Sequence, residues 1–200
     1  MSTKLAAIVW PNRKIYFFKG NLYYRYDVAT ENTDQAAHPI TGNWRGIWSD
    51  GIDAAVIWPG SPQGKAYFFK GNENTRFDIA SEKADEGPIP IERNWPGVWP
   101  DGIDAAVSWP NGKVYFFKGP DYVGFDSATG RIDGGVRRIA GNWPGVWNGG
   151  FETALVYPGA SPAKYAYFFK GSEYLRFDIA ANKVDAGPSR IADNWRGLPF

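Results

Sequence analysis

The pentapeptide Tyr-Phe-Phe-Lys-Gly occurs four times without change in a chain of 200 residues, starting at Tyr16, Tyr67, Tyr115 and Tyr167. Each time, 11 positions after the tyrosine, stands the aspartate of an aromatic-Asp pair: Asp27, Asp78, Asp126 and Asp178. A further 16 positions on comes the asparagine of an Asn-Trp pair: Asn43, Asn94, Asn142 and Asn194. A frame without insertions marks a repeat architecture, in which each unit buries its apolar face against the next.

Each unit reads as strands. A short apolar run ended by proline opens it: Leu5 to Pro11, Asp53 to Pro59, Asp104 to Pro110 and Glu152 to Pro158. The alanines in these runs let neighbouring backbones approach, and proline stops the strand because it cannot donate to a ladder. A turn follows, of which Asn111-Gly112 is the strongest hairpin signal because both residues tolerate positive φ. The turn's length varies, with residues 60–64 and 159–162 forming the long versions. Tyr-Phe-Phe-Lys is the second strand, the stretch from Leu22 to Asp27 and its equivalents the third, and a segment such as Pro88 to Ile91 a weak fourth.

Four antiparallel strands in each of four repeats give an all-β fold, a four-bladed β-propeller. The blades fall at about 4–51, 52–102, 103–150 and 151–200, with a short helical turn expected between blades. The chain has no cysteine, so closure of the ring must come from blade four packing on blade one. With 44% hydrophobic and 17% aromatic residues there is ample core for this.

The combination of Asp-Ala-Ala, Tyr-Phe-Phe-Lys-Gly-x-x-Tyr-x-Arg-Phe-Asp and a closing aromatic-x-Gly turn resembles the repeat of hemopexin-like domains over essentially the whole chain. The lack of a closing cysteine pair and the Trp in each Asn-Trp turn bring it nearer the microbial, fungal and plant members than the vertebrate ones. The resemblance implies a central channel lined by the first strand of each blade. It also implies a calcium or sodium ion held there by backbone carbonyls, with chloride sometimes below. The matching positions are Leu5, Asp53, Asp104 and Glu152. A ring of hard oxygen atoms suits such ions. The alternative is that the three carboxylates bond to neighbouring blades around water.

The tryptophans admit two readings. Trp44, Trp95, Trp143 and Trp195 of the Asn-Trp pairs, and Trp48, Trp99 and Trp147 four residues later, either plug gaps between blades or stack on a sugar face. In the second case Asn43, Asn94, Asn142 and Asn194 supply hydrogen bonds, since aromatic faces with a few placed polar groups are a general ligand-site signature. Repetition would then multiply weak sites into avidity. The Phe-Phe and aromatic-Asp pairs read as inter-blade core.

Catalysis finds little support. His38 is the sole histidine, so a histidine metal cluster or a Cys-His pair is excluded. His38 is also the one histidine that could ligate haem. The net charge of +1, without a concentrated basic patch, argues against nucleic acid. The N-terminus does not resemble a secretory signal and no run is long enough for a membrane span, so a soluble protein, cytoplasmic or released by an unconventional route, is expected.

The expectation is a non-enzymatic, lectin-like binding protein whose partners are glycans or another small ligand. A haem, polyamine or metal carrier is the alternative, and a protein-docking module the third reading. Whether two chains pair as a homodimer is left open by the sequence.

Overall fold

The computed structural model describes residues 4–33, 36–60, 64–159 and 161–200; hairpin residues 61–63 and 160 lie outside the described residues. Blade one consists of β1 (Leu5–Val9), β2 (Lys14–Lys19), β3 (Leu22–Asp27) and two short outer strands, β4 (Asn32–Thr33) and β5 (His38–Pro39). Blade two consists of β6 (Ala54–Ile57), β7 (Lys65–Lys70), β8 (Glu73–Asp78) and β9 (Lys83–Pro90), followed by α1 (Ile91–Asn94). Blade three repeats the first pattern with β10 (Ala105–Ser108), β11 (Lys113–Lys118), β12 (Asp121–Asp126), β13 (Arg131–Ile132) and β14 (Arg137–Arg138). Blade four repeats the second with β15 (Thr153–Val156), β16 (Tyr165–Lys170), β17 (Glu173–Asp178), β18 (Lys183–Arg190) and α2 (Ile191–Asn194). Each sheet is an antiparallel meander, and β1, β6, β10 and β15 meet around the central axis. The protein is a four-bladed β-propeller.

Period-two alternation explains how the Phe-Phe pair builds it. Adjacent residues of a strand face opposite sides of the sheet, so each pair sends one ring to each neighbouring blade. Phe18 meets Phe68, Phe69 meets Phe116, Phe117 meets Phe168 and Phe169 meets Phe17, with ring centroids 5.5–6.5 Å apart. The result is four inter-blade cores rather than one central core. All eight phenylalanines are buried, each contributing on the order of 1.5–3 kcal/mol.

The ring closes through side chains of blade four. In the β1–β2 ladder Leu5 and Ala7 fall on positions that exchange no ladder bonds, so their amides point outward. Leu5 N donates to Glu152 Oε2 (3.1 Å) and Ala7 N to Thr153 Oγ1 (3.0 Å). Further out, Thr33 N donates to Arg196 O (3.0 Å), and Phe200 packs on Phe17 and Tyr24.

Two features alternate around the ring. Helical turns follow only blades two and four, although one was expected between all blades. After blades one and three the same i→i+4 bond forms, from Trp44 N to Ile40 O and from Trp143 N to Ile139 O. Gly42 and Gly141, both at φ +81°, then take the place of the helical Arg93 and Asp193. The fourth strand is continuous only in blades two and four. There Gly87 and Gly187 pass so close to the third strand that a Cβ would sit 2.7 Å from Asn74 O or Tyr174 O; repeat one carries Ala36 in that place, while repeat three keeps Gly135 and its outer strand is nevertheless split. Among the described residues no helix is long and apolar enough to cross a membrane.

Candidate functional site

The recurrent aspartates belong to turns. Asp27 Oδ1 accepts the amide of Ala29 (2.8 Å), Asp126 Oδ1 those of Ala128 and Thr129 (2.9 and 3.0 Å), and Asp178 Oδ1 that of Ala181 (2.8 Å). Asp27 also binds Lys14 Nζ at 2.7 Å, and this hydrogen bond, followed by the Ala29 amide, holds its carboxyl below the usual range. These groups pin the turn after the third strand and offer no free acid or base.

The channel has an apolar bore. A cavity of about 180 Å³ is lined by alanines, among them Ala7, Ala55, Ala106 and Ala154, with Val9, Ile57, Val156 and Ser108 near the inner-strand ends. At the other end, the carboxylates of Asp53, Asp104 and Glu152 do not converge. Each accepts the amide of the glycine that ends its own Tyr-Phe-Phe-Lys-Gly strand: Gly71, Gly119 and Gly171, at 2.7–2.8 Å. Leu5 takes the fourth position and is buried. Glu152 also reaches the neighbouring blade, where its Oε2 accepts the Leu5 amide. Lys4 Nζ lies at this mouth, 2.7 Å from Asp104 Oδ1. No group of three or more His, Cys, Asp or Glu side chains converges among the described residues, so backbone carbonyls would have to hold any ion here. The Lys4 charge works against a divalent one.

Trp44, Trp95, Trp143 and Trp195 fill the seams between blades and are at most 7% exposed. Trp44, for example, stands edge-on to Trp10, Tyr16 and Phe18 of its own blade and to Phe68 of the next, at 5.0–5.6 Å. These rings present no open face. Trp48, Trp99 and Trp147 are half-buried against the inter-blade cores, and Lys170 Nζ lies 6.0 Å from the Trp147 ring centre. His38 stacks on Tyr23 at 5.5 Å, which occupies one face of its ring.

Three seams open into clefts whose lining recurs from one to the next. Between blades one and two, a cleft of about 120 Å³ is bounded by Trp10, Tyr16, Tyr23, Arg25, Asn43 and the edge of Trp44, with Phe77 and Glu82 opposite. Between blades four and one, the equivalents are Tyr157, Tyr167, Tyr174, Arg176, Asn194, Trp195, Tyr26 and Glu31, around about 230 Å³. Between blades three and four, they are Trp109, Tyr115, Tyr122, Asn142 and Trp143, with Arg137 and Asn182, around about 110 Å³. The Asn-Trp pairs predicted from sequence therefore do meet open space, but by the asparagine and the indole edge.

The tyrosines and arginines of these clefts were not singled out from the sequence. Strand alternation would have placed Tyr16 on the same sheet face as Phe18 and so in the Trp44 seam. Burial raises the phenols of Tyr157, Tyr167 and Tyr174, Tyr167 to about 12, so they remain neutral hydrogen-bonding groups at ordinary pH.

The fourth seam differs. Asn74 of blade two stands where Tyr23, Tyr122 and Tyr174 stand elsewhere, and it is fully buried. Its Oδ1 accepts from Asn94 Nδ2 (3.3 Å) and Trp95 Nε1 (3.4 Å), while its Nδ2 donates to Ile89 O (3.1 Å). Here the Asn-Trp pair is satisfied from within.

Comparison with known proteins agrees with this architecture. A hemopexin-fold protein from cow pea superposes with a TM-score of 0.81 at 26% identity, covering 98% of this chain and 96% of that one. A plant lectin with two metal-binding sites from Cicer arietinum gives 0.80 at 24% identity, covering 98% of each, a likeness of fold. Matrix metalloproteinase-21 of Mus musculus is 33% identical over 101 residues, which is 46% of this chain and 17% of that protein. Stromelysin-3 of Xenopus laevis is 39% identical over 66 residues, 32% and 13% respectively. The match thus spans less than a fifth of either relative's length. The hemopexin family model matches residues 6–49, 52–100, 103–148 and 160–199, one stretch per blade, and the chain belongs to the hemopexin family.

Proposed function

We propose that this propeller is a non-enzymatic carbohydrate-binding protein whose sugar sites are the seam clefts. The observation that carries this is the recurrence of one lining in three clefts: aromatic edges, tyrosine hydroxyls, an asparagine and an arginine. A saccharide needs an apolar wall for its C–H face and several fixed donors and acceptors for its hydroxyls, and each cleft supplies both. The wall comes from tyrosine and from Trp10, Trp109 or Tyr157, while the buried tryptophans stiffen the seam behind it. Sharing the fold with a plant lectin fits this reading, although at 24% identity it shows the fold alone. The conspicuous carboxylates are engaged in turns, which leaves the clefts poor in groups for acid-base chemistry.

A protein-docking role is less well supported. Among the described residues Val136 is the strongly exposed large hydrophobic side chain, and a lone valine makes no apolar patch. An ion on the channel carbonyls of Leu5, Asp53, Asp104 and Glu152 belongs to the proposal as a structural element remote in role from the sugar, sodium being favoured over calcium by the Lys4 charge at the mouth.

A glycan array probed in calcium and again in chelator, followed by titration calorimetry, tests the reading. Selective binding, weakened by Arg25→Ala or Arg176→Ala and inhibited by the free sugar, is expected. Binding in chelator is expected to persist. An array blank in both conditions would refute the carbohydrate reading.

A further inference from the structure

The cleft between blades three and four departs from the other two in its charge and in one unmet hydrogen bond. In each of the other clefts an arginine of the third strand faces a glutamate from the turn of the next blade: Arg25 with Glu82, and Arg176 with Glu31. Between blades three and four both members change. Gly124 replaces the arginine, and Asn182 replaces the glutamate at the same left-handed turn position, φ +51°. A cation nevertheless enters the cleft, because Arg137 of the outer strand β14 lines it. The acid has been removed and the base supplied from elsewhere in the blade.

Arg137 is also less committed than the arginine of blade four. Arg176 is gripped by both oxygens of Asp185 at 3.0 Å. The corresponding acid of blade three, Asp133, forms its ion pair with Lys113. Arg137 Nη2 donates instead to the neutral backbone oxygen of Asp133, at 3.2 Å. The nearby Asp121 is paired with Arg138. The guanidinium thus keeps donors for an incoming anion.

Trp143 supplies the independent observation. It is 6% exposed and lines the cleft, yet its buried Nε1–H meets no acceptor among the described residues. The equivalent donor of Trp95 is satisfied by Asn74, whose place is taken here by Tyr122. A buried N–H without a partner is unfavourable, so such groups point to a bound oxygen from water or ligand.

We propose that the cleft between blades three and four binds the carboxylate of an acidic saccharide, a uronic- or sialic-acid type residue, while the other two take neutral sugars. This rests on the carbohydrate reading of the clefts. The carboxylate pairs with Arg137, next to the edge of the Trp143 indole that lines the cleft. Asn142, whose Nδ2 is tied to Arg138 O at 3.0 Å, keeps its Oδ1 to accept from a hydroxyl.

The test titrates the whole protein with an acidic oligosaccharide, with the same oligosaccharide as its carboxamide, and with a neutral one, while the indole N–H resonances are followed by NMR. Losing a charge-assisted pair is expected to weaken the acidic ligand about 10- to 100-fold in Arg137→Ala. Asn182→Glu, which restores the glutamate of the other clefts, is expected to do the same, and so is conversion to the carboxamide. Neutral binding stays unchanged throughout, and the Trp143 indole resonance moves only with the acid. Acidic binding indifferent to both substitutions overturns the proposal. If no saccharide binds, the carbohydrate reading falls separately. Simple hydroxy acids then decide the cleft: an Arg137-dependent shift of the Trp143 resonance upholds the anion site, and no shift removes it.

Discussion

Replacing Thr153 with valine tests whether the ring is closed by the bonds described above. Thr153 and Ala7 are each 1% exposed, and the threonine hydroxyl accepts the Ala7 amide across the seam between the first and last blades. Valine has nearly the same shape, so no cavity opens, but the buried amide loses its acceptor. Leaving such a donor unpaired costs about 1–3 kcal/mol. The methyl that replaces the hydroxyl returns part of this, up to about 0.8 kcal/mol. A net loss of roughly 1–2 kcal/mol follows, which for a domain of this size lowers Tm by about 2–8 °C. Thr153→Ser keeps the oxygen and loses only a methyl, so global stability separates the two variants poorly. Hydrogen exchange separates them well. The Ala7 amide is expected to exchange about 5- to 30-fold faster in the valine variant and to stay protected in the serine one. Equal protection of Ala7 in the wild type and in Thr153→Val would refute the claim that this hydroxyl holds the seam.

Other outcomes follow from single features. Asn74→Ala strips Trp95 Nε1 and Asn94 of their common acceptor, and should cost about 2–4 kcal/mol in urea denaturation. Gly87→Ala would press a Cβ to 2.7 Å from Asn74 O and 2.9 Å from Thr75 Cα. It should destabilise by more than Gly119→Ala, where nothing lies within 4 Å and only the left-handed backbone cost of about 1–2 kcal/mol applies. Burial raises Tyr167 to about 12, and raises Tyr26 and Tyr157 as well. A phenol raised in the folded state contributes stability that is complete below the unfolded value near 10 and is lost as pH rises through the folded one. Stability should therefore hold to about pH 10 and fall above it, with late tyrosinate absorbance at 295 nm; full ionisation at pH 10.5 in the native protein would contradict this.

The fold was legible because its determinants are local and repeated. Phe17-Phe18 and its copies write the alternation that splits each pair across two seams, and prolines such as Pro59 mark where inner strands stop. The sites were less legible because they are made by what differs between repeats. Asn74 looks like one more polar residue until its neighbours are known, yet it satisfies a seam that Tyr23 leaves open elsewhere. The sequence singled out the Asn-Trp tryptophans with two readings, as gap fillers between blades or as faces for a sugar. That they show an edge rather than a face depends on packing from two blades, which periodicity cannot supply. Arg137 is the extreme case: it enters its cleft from a different strand than Arg25 or Arg176, in a repeat column that holds His38, Ile89 and Ser189 elsewhere and so gives no hint of a cleft arginine.

The alternation in the outermost strands bears on a hazard common to open sheets. A free edge strand displays unpaired backbone groups that can recruit another chain and start aggregation. Blades one and three end in pairs of two-residue strands, too short to template a partner. Blades two and four carry eight-residue edges, and each of these contains proline: Pro88 and Pro90 in β9, Pro188 in β18. Proline removes the donor an incoming strand would need. Each edge is thus guarded by brevity or by proline against pairing with the edge of another chain.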